Sequence, residues 1–174
     1  MNGLPDKIAP DLFKSEENAL VVTLSKLQIA NAQLDTSISL YLDGKDLISA
    51  ITLAGAAEEI LGKLVKGSGG KSSLEETVER LCGMYEAAFE ESPDPKVFAD
   101  LRNRTRNELK HRGLSDSVSF DLEREATSMI RRAVANHQAL NLPTRELFRA
   151  FESELLRRAA EANRRALFND DTPS

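Results

Sequence analysis

Arg106-Asn107-Glu108-Leu109-Lys110-His111 holds the residue types that metal-free phosphate chemistry needs. Imidazole, with an unperturbed pKa of about 6.5, moves protons near neutrality. Guanidinium offers a rigid fork matched to phosphate oxygens. A shuffled chain with 14 Arg and 2 His would give about 0.16 Arg-x4-His matches, and about 0.02 with Asn, Asp or His directly after the arginine. Arg132 and His137 make a second match, but Ala133 follows that arginine.

Helical spacing separates the two matches. Taking Phe98, Leu101, Thr105 and Leu109 as the inward stripe puts Asn107 at about 180° and His111 at about 220° from Phe98, one outward face with Arg104 beside it. Arg102 and Arg106 fall at about 40° and 80°, at the edge of the core. His137 instead continues the apolar series Ala126, Ile130, Ala133 and Leu140 and reads as a satisfied core histidine.

The charge distribution marks the same segment. The 174 residues carry a net charge of −5, but residues 96–113 hold 6 basic and 2 acidic groups, a net of +4, while residues 1–95 hold 8 and 16. Arg102, Arg104, Lys110 and Arg112 are therefore candidates for contacting an anionic ligand. The bland alternative is a solvated basic face with Arg104 paired to Glu108.

The elements that must position these residues are helices. Leu (24) and Ala (20) outnumber Val (7) and Ile (7) about three to one, which favours helix because β-branched side chains lose rotamer freedom there. A first helix is expected from Ser15, with Glu16 and Glu17 in its first turn and a heptad-like seam from Leu20 through Leu24, Leu27, Asn31, Leu34 and Ile38 to Tyr41. Asn31 reads as a register-setting core amide. The second helix, residues 45–66, is apolar on most faces and should lie centrally, with Gly55 among alanines permitting close approach. Glu58 falls within its apolar stripe and needs a cationic partner, for which Arg102 and Arg106 are the candidates.

The third helix is expected to open on a Ser73–Glu76 capping box and to bury Leu74, Val78, Leu81, Tyr85 and Phe89. Asp94 and Pro95 open the fourth, Gly113 closes it, and Asp121 caps the fifth. A sixth, Arg-rich helix spans about residues 143–168. The organisation is an all-α antiparallel bundle: an arm (1–14), a helical core (15–140), a C-terminal helical extension (141–168) and a frayed tail (169–174).

Several chemistries are excluded. One Cys and two distant His form no zinc site, and no metal or cofactor is expected. Gly70-Lys71-Ser72 lacks the earlier glycine of a phosphate loop, since Val65 stands there, and lacks a preceding strand. The adjacent Glu pairs diverge by about 100° on a helix and make no ready acid–base dyad. No leader or apolar membrane span is evident, so a cytoplasmic protein is expected.

At Arg106-Asn107-Glu108-Leu109-Lys110-His111 the sequence resembles the HEPN superfamily, helical bundles marked by an Arg-polar-x3-His motif. Residues 51–62 and 120–126 also look like corresponding segments of bacterial relatives, and the resemblance covers residues 15–140. It implies a four-helix core with an added C-terminal helix. It also implies a metal-independent endoribonuclease, often a toxin or antiphage effector, acting as a homodimer whose motif helices meet at a two-fold axis. Arg106 and His111 would be catalytic and Asn107 orienting; separately, the apolar-stripe position of Glu58 would let it orient the guanidinium of Arg102 or Arg106. Partners would be RNA and an antitoxin such as a minimal nucleotidyltransferase. The alternatives are a non-catalytic module of this type that binds a nucleotide, RNA or protein, and a structural helical protein whose basic strip docks an acidic partner.

Overall fold

The computed structural model describes residues 21–110 and 117–168. They form an all-α bundle of six helices: α1 (Lys26–Leu42), α2 (Leu47–Gly67), α3 (Ser73–Phe89), α4 (Pro95–Lys110), α5 (Leu122–Ala139) and α6 (Glu146–Phe168). No described helix is long and apolar enough to cross a membrane.

Local chemistry sets the boundaries. α1 begins at Lys26 behind a Ser25–Gln28 capping box, and residues 21–25 are not helical. The expected start at Ser15 lies outside the described residues, but one continuous helix from there to Tyr41 is ruled out. The β-branched run Val21-Val22-Thr23 disfavours helix, and Ser25 supplies a complete cap immediately after it. Leu24 is correspondingly exposed rather than part of the seam. Gly44, with φ at +63°, turns the chain so that α2 returns along α1.

The box that opens α3 is Ser72 with Glu75, one residue before the expected pair. Lys66 bonds Glu75 and, with the Ser72 backbone and hydroxyl, holds its carboxyl down at about 2. Asp121 caps α5 as expected, its carboxylate accepting from the Arg124 backbone N–H.

α2 is central, packed along both α1 and α5 and touching α4. Leu34, Ile38 and Tyr41 meet Ile51, Ala54, Ala57 and Leu61, and Met129, Ile130 and Ala133 close the core from α5. Asn31 is only half-buried and its Oδ1 has no partner, which gives no support to a bonded core amide. α6 is more than an extension of this bundle. Phe148 and Phe151 are fully buried in the same core, while Leu156 and Leu167 farther along are exposed.

α3 and α4 pack more loosely on the outside. Of the five α3 residues expected inside, Val78 is buried, whereas Leu74, Leu81 and Tyr85 are half-buried and Phe89 is exposed. Tyr85 touches both Phe89 and Phe98, tying α3 to α4 through aromatic contacts. The inward face of α4 is also turned from the expected one. Thr105 and Leu109 face inward as expected, but Leu101 is 62% exposed and Arg102 and Arg106 face inward in its place.

His137 is buried with its ring edge-on to Phe148, centroids 4.9 Å apart. Its Nδ1 has no partner, so it is a core histidine but not a fully satisfied one. Burial, then nearby Arg145, push its pKa below 6.5, and Asp35 opposes them. The neutral form is thus favoured on folding, and the unfolded chain binds the extra proton. This contribution to stability is fully present above about pH 6.5 and is lost as the pH falls below it. Urea midpoints measured across this range are expected to fall with acidification, and His137→Gln to flatten that dependence; an unchanged slope in the variant would contradict the assignment.

Candidate functional site

The site is built on one carboxylate. Glu58 sits mid-α2, its side chain 5% exposed, and faces arginines from two other helices. Arg132 of α5 donates through Nη2 to Glu58 Oε1 at 2.8 Å, and Arg106 of α4 donates through Nη1 to Oε2 at 3.3 Å. A carboxylate buried at this depth needs such partners, because burying an unpaired charge is prohibitive.

The surrounding polar groups are partly satisfied, the Nε atoms of Arg102, Arg106 and Arg132 being buried without a partner among the described residues. Arg132 also donates to the Arg102 carbonyl and to Asn103 Oδ1, at 3.1 and 3.0 Å. Asn136 donates to the Glu58 carbonyl and accepts from the Ser73 backbone N–H, joining α2, α5 and the first turn of α3. Desolvation lowers the Arg132 pKa, the Glu58 charge opposes this, and neighbouring Arg106 and Arg102 lower it further. Two guanidiniums therefore share one carboxylate, with a third, Arg102, near enough to act on Arg132.

Gly55 explains how Arg106 reaches this point. A Cβ at Gly55 would lie 2.8 Å from Arg106 Cδ and 3.0 Å from Cγ, so the arginine stem occupies the space a side chain would need. The stem crosses α2 at its smallest residue and delivers the guanidinium one turn later, at Glu58. Arg106 remains 14% exposed and contributes to a cleft of about 240 Å³ together with Asn103, Lys63 and Lys66.

The remaining sequence candidates distribute as follows. Asn107 is exposed, and its Oδ1 lies 3.5 Å from Arg106 Nη2. Arg104 is exposed, and Lys110 reaches to 4.0 Å from Glu59. Glu59 points outward, where Lys63 foremost and Lys110 and Arg106 more distantly lower its pKa. Arg102 does not join Glu58; it donates through Nη2 to Ser128 Oγ at 2.8 Å. His111 and Arg112 lie outside the described residues. Among the described residues no group of three His, Cys, Asp or Glu side chains is placed to hold a metal ion.

Sequence reasoning missed Arg132, which appeared only as the arginine of the second Arg-x4-His match. The available signal was its spacing. Arg132 and Asn136 interleave with Met129, Ala133 and His137 on the buried face of α5, and polar groups at core positions require partners.

Two substitutions test this construction. Gly→Ala inside a helix ordinarily stabilises by about 0.5–1 kcal/mol, and Gly83→Ala, with open space around it, should do so. Gly55→Ala should instead destabilise, because the Arg106 stem must be displaced. Glu58→Gln should remove about 3–5 kcal/mol by stranding two guanidiniums, whereas Glu59→Gln on the exposed face should change little. Denaturant unfolding distinguishes these outcomes, and a gain in Gly55→Ala would contradict the close approach.

Compared with known proteins, the chain matches no family model, no curated protein and no solved structure.

Proposed function

We propose that the chain is a metal-independent endoribonuclease of HEPN type, a toxin-like or antiphage effector that cleaves RNA at a composite site in a homodimer. The observation that carries this reading is the anchoring of Arg106. One guanidinium nitrogen is held by Glu58, the other lies beside exposed Asn107, and the group opens onto a small cleft flanked by Lys63 and Lys66. An arginine tethered on one edge is oriented before a phosphate arrives, so little conformational freedom is lost on binding.

In the proposed reaction His111 accepts the 2′-hydroxyl proton. The 2′-oxygen then attacks the adjacent phosphorus, and the 5′-oxygen departs with a proton. The products are a 2′,3′-cyclic phosphate and a 5′-hydroxyl end. Arg106 stabilises charge on the phosphorane, Asn107 orients the reacting groups, and Arg104, Lys110 and Arg112 contact flanking phosphates. A two-fold dimer supplies each element twice, giving one imidazole for each proton transfer. An antitoxin, for which a minimal nucleotidyltransferase is the candidate, would act by covering this face.

One observation favours a second reading. Arg106 is largely buried in its ion pair, as in a module whose motif arginine is structural and whose basic strip only binds a nucleotide, RNA or protein partner. Catalysis separates the two. Purified protein incubated with total RNA in EDTA is expected to yield fragments ending in 2′,3′-cyclic phosphate. His111→Ala should abolish cleavage, while His137→Ala should lower stability and leave the chemistry of the products unchanged. A folded dimer that cleaves nothing would favour the binding module, and equal loss in both folded variants would mean that the second histidine is equally required.

A further inference from the structure

A larger cleft of about 660 Å³ lies elsewhere, bounded by α3, α5 and α6 with Arg102 of α4 and Tyr41 of α1 on its wall; neither Arg106 nor Asn107 lines it. Its walls carry five arginines against two carboxylates. Both carboxylates are engaged: Asp121 caps α5, and Glu123 is paired with Arg158. Arg132 is committed to Glu58, and Arg158 also bonds Glu154. Among the described residues, Arg102, Arg124 and Arg131 have no carboxylate partner. Arg102 is half-buried and bonded only to a neutral hydroxyl, with its Nε buried and unpartnered.

Half-buried Arg102 and the two exposed arginines at the rim make a local excess of positive charge that an anion would neutralise. We infer that this cleft is a binding site for a compact ligand bearing two or more phosphate groups, held by Arg102, Arg124 and Arg131. Arg102 would meet one phosphate from the floor, and the exposed Arg124 and Arg131, two turns apart along α5, would close on the ligand from the rim.

The surroundings favour a compact ligand over an RNA strand. Beyond Glu123 the surface alternates in sign through the paired Glu154, Arg157, Arg158 and Glu161, so among the described residues no continuous basic track leads a polyanion onward on this side. Among the described residues the only aromatic ring on the wall, Tyr41, is buried and covered by Arg158 at 4.9 Å, so it offers no free face for stacking a base. Recognition therefore falls on phosphate charge, within a volume typical of small-ligand sites.

The test is calorimetric titration of the full chain with inorganic pyrophosphate, inorganic monophosphate and a short single-stranded RNA. Pyrophosphate is expected to bind more tightly than monophosphate by about tenfold, because a second charge-assisted contact is added. Arg131→Gln and Arg124→Gln, both exposed positions, should each weaken pyrophosphate by about tenfold without changing the melting temperature. His111→Ala should leave this binding intact, and the site stands or falls separately from RNA cleavage. No pyrophosphate binding up to about millimolar concentration, a typical upper range for weak ligands, would overturn the inference. So would binding that ignores both arginine substitutions, binding lost in His111→Ala, or binding of RNA alone.

Discussion

The structure turns on a single carboxylate shared by two arginines. Glu58 is enclosed by α2, α4 and α5, and its two oxygens are taken by Arg106 and Arg132. The pairing fixes how α4 rests on the bundle. α4 contributes few buried apolar groups, with Leu101 and Val97 exposed, so its position depends on polar contacts to a degree that α1 and α2 do not. Packing holds the inner bundle together, and a charge network orients the helix that carries Arg106 and Asn107.

The same network leaves charge unbalanced. One carboxylate answers two guanidiniums directly while Arg102 stands close by with no acidic partner among the described residues, and the excess opens in two directions. Toward α2 and α3 it emerges at Arg106, beside Asn107. Toward α5 and α6 it emerges at Arg102, in a cleft with Arg124 and Arg131. A protein that is acidic as a whole thus presents two local positive openings, connected through the Arg132–Glu58 contact. Each is a place where an anion would relieve an electrostatic deficit.

Much of the helical architecture was legible from spacing and caps, because Leu/Ala periodicity and Asp or Ser caps act within a few residues. The pairing of Glu58 with Arg106 was legible too, since a charge within an apolar stripe demands a partner. What was not legible depended on tertiary contacts. Arg132 carries the shorter bond to Glu58, but its role appears only when α5 is laid against α2. The rotation of α4 that exposes Leu101 and turns Arg102 inward follows from the polar groups awaiting it on α2 and α5, against its own hydrophobic pattern. Phe148 and Phe151 look like an ordinary amphipathic face, and only the packed core shows that α6 is integral at its start. The resemblance rests on a motif whose histidine lies outside the described residues.

The most direct measurement is a double-mutant cycle between Glu58 and Arg106, read as the rate of RNA cleavage in EDTA by folded Glu58→Gln, Arg106→Lys and the combined variant. If Glu58 acts by orienting Arg106, the double variant should lose little more than Arg106→Lys alone, with a coupling of about 1–3 kcal/mol. Additive losses, or full activity in Glu58→Gln, would contradict a site oriented through this carboxylate.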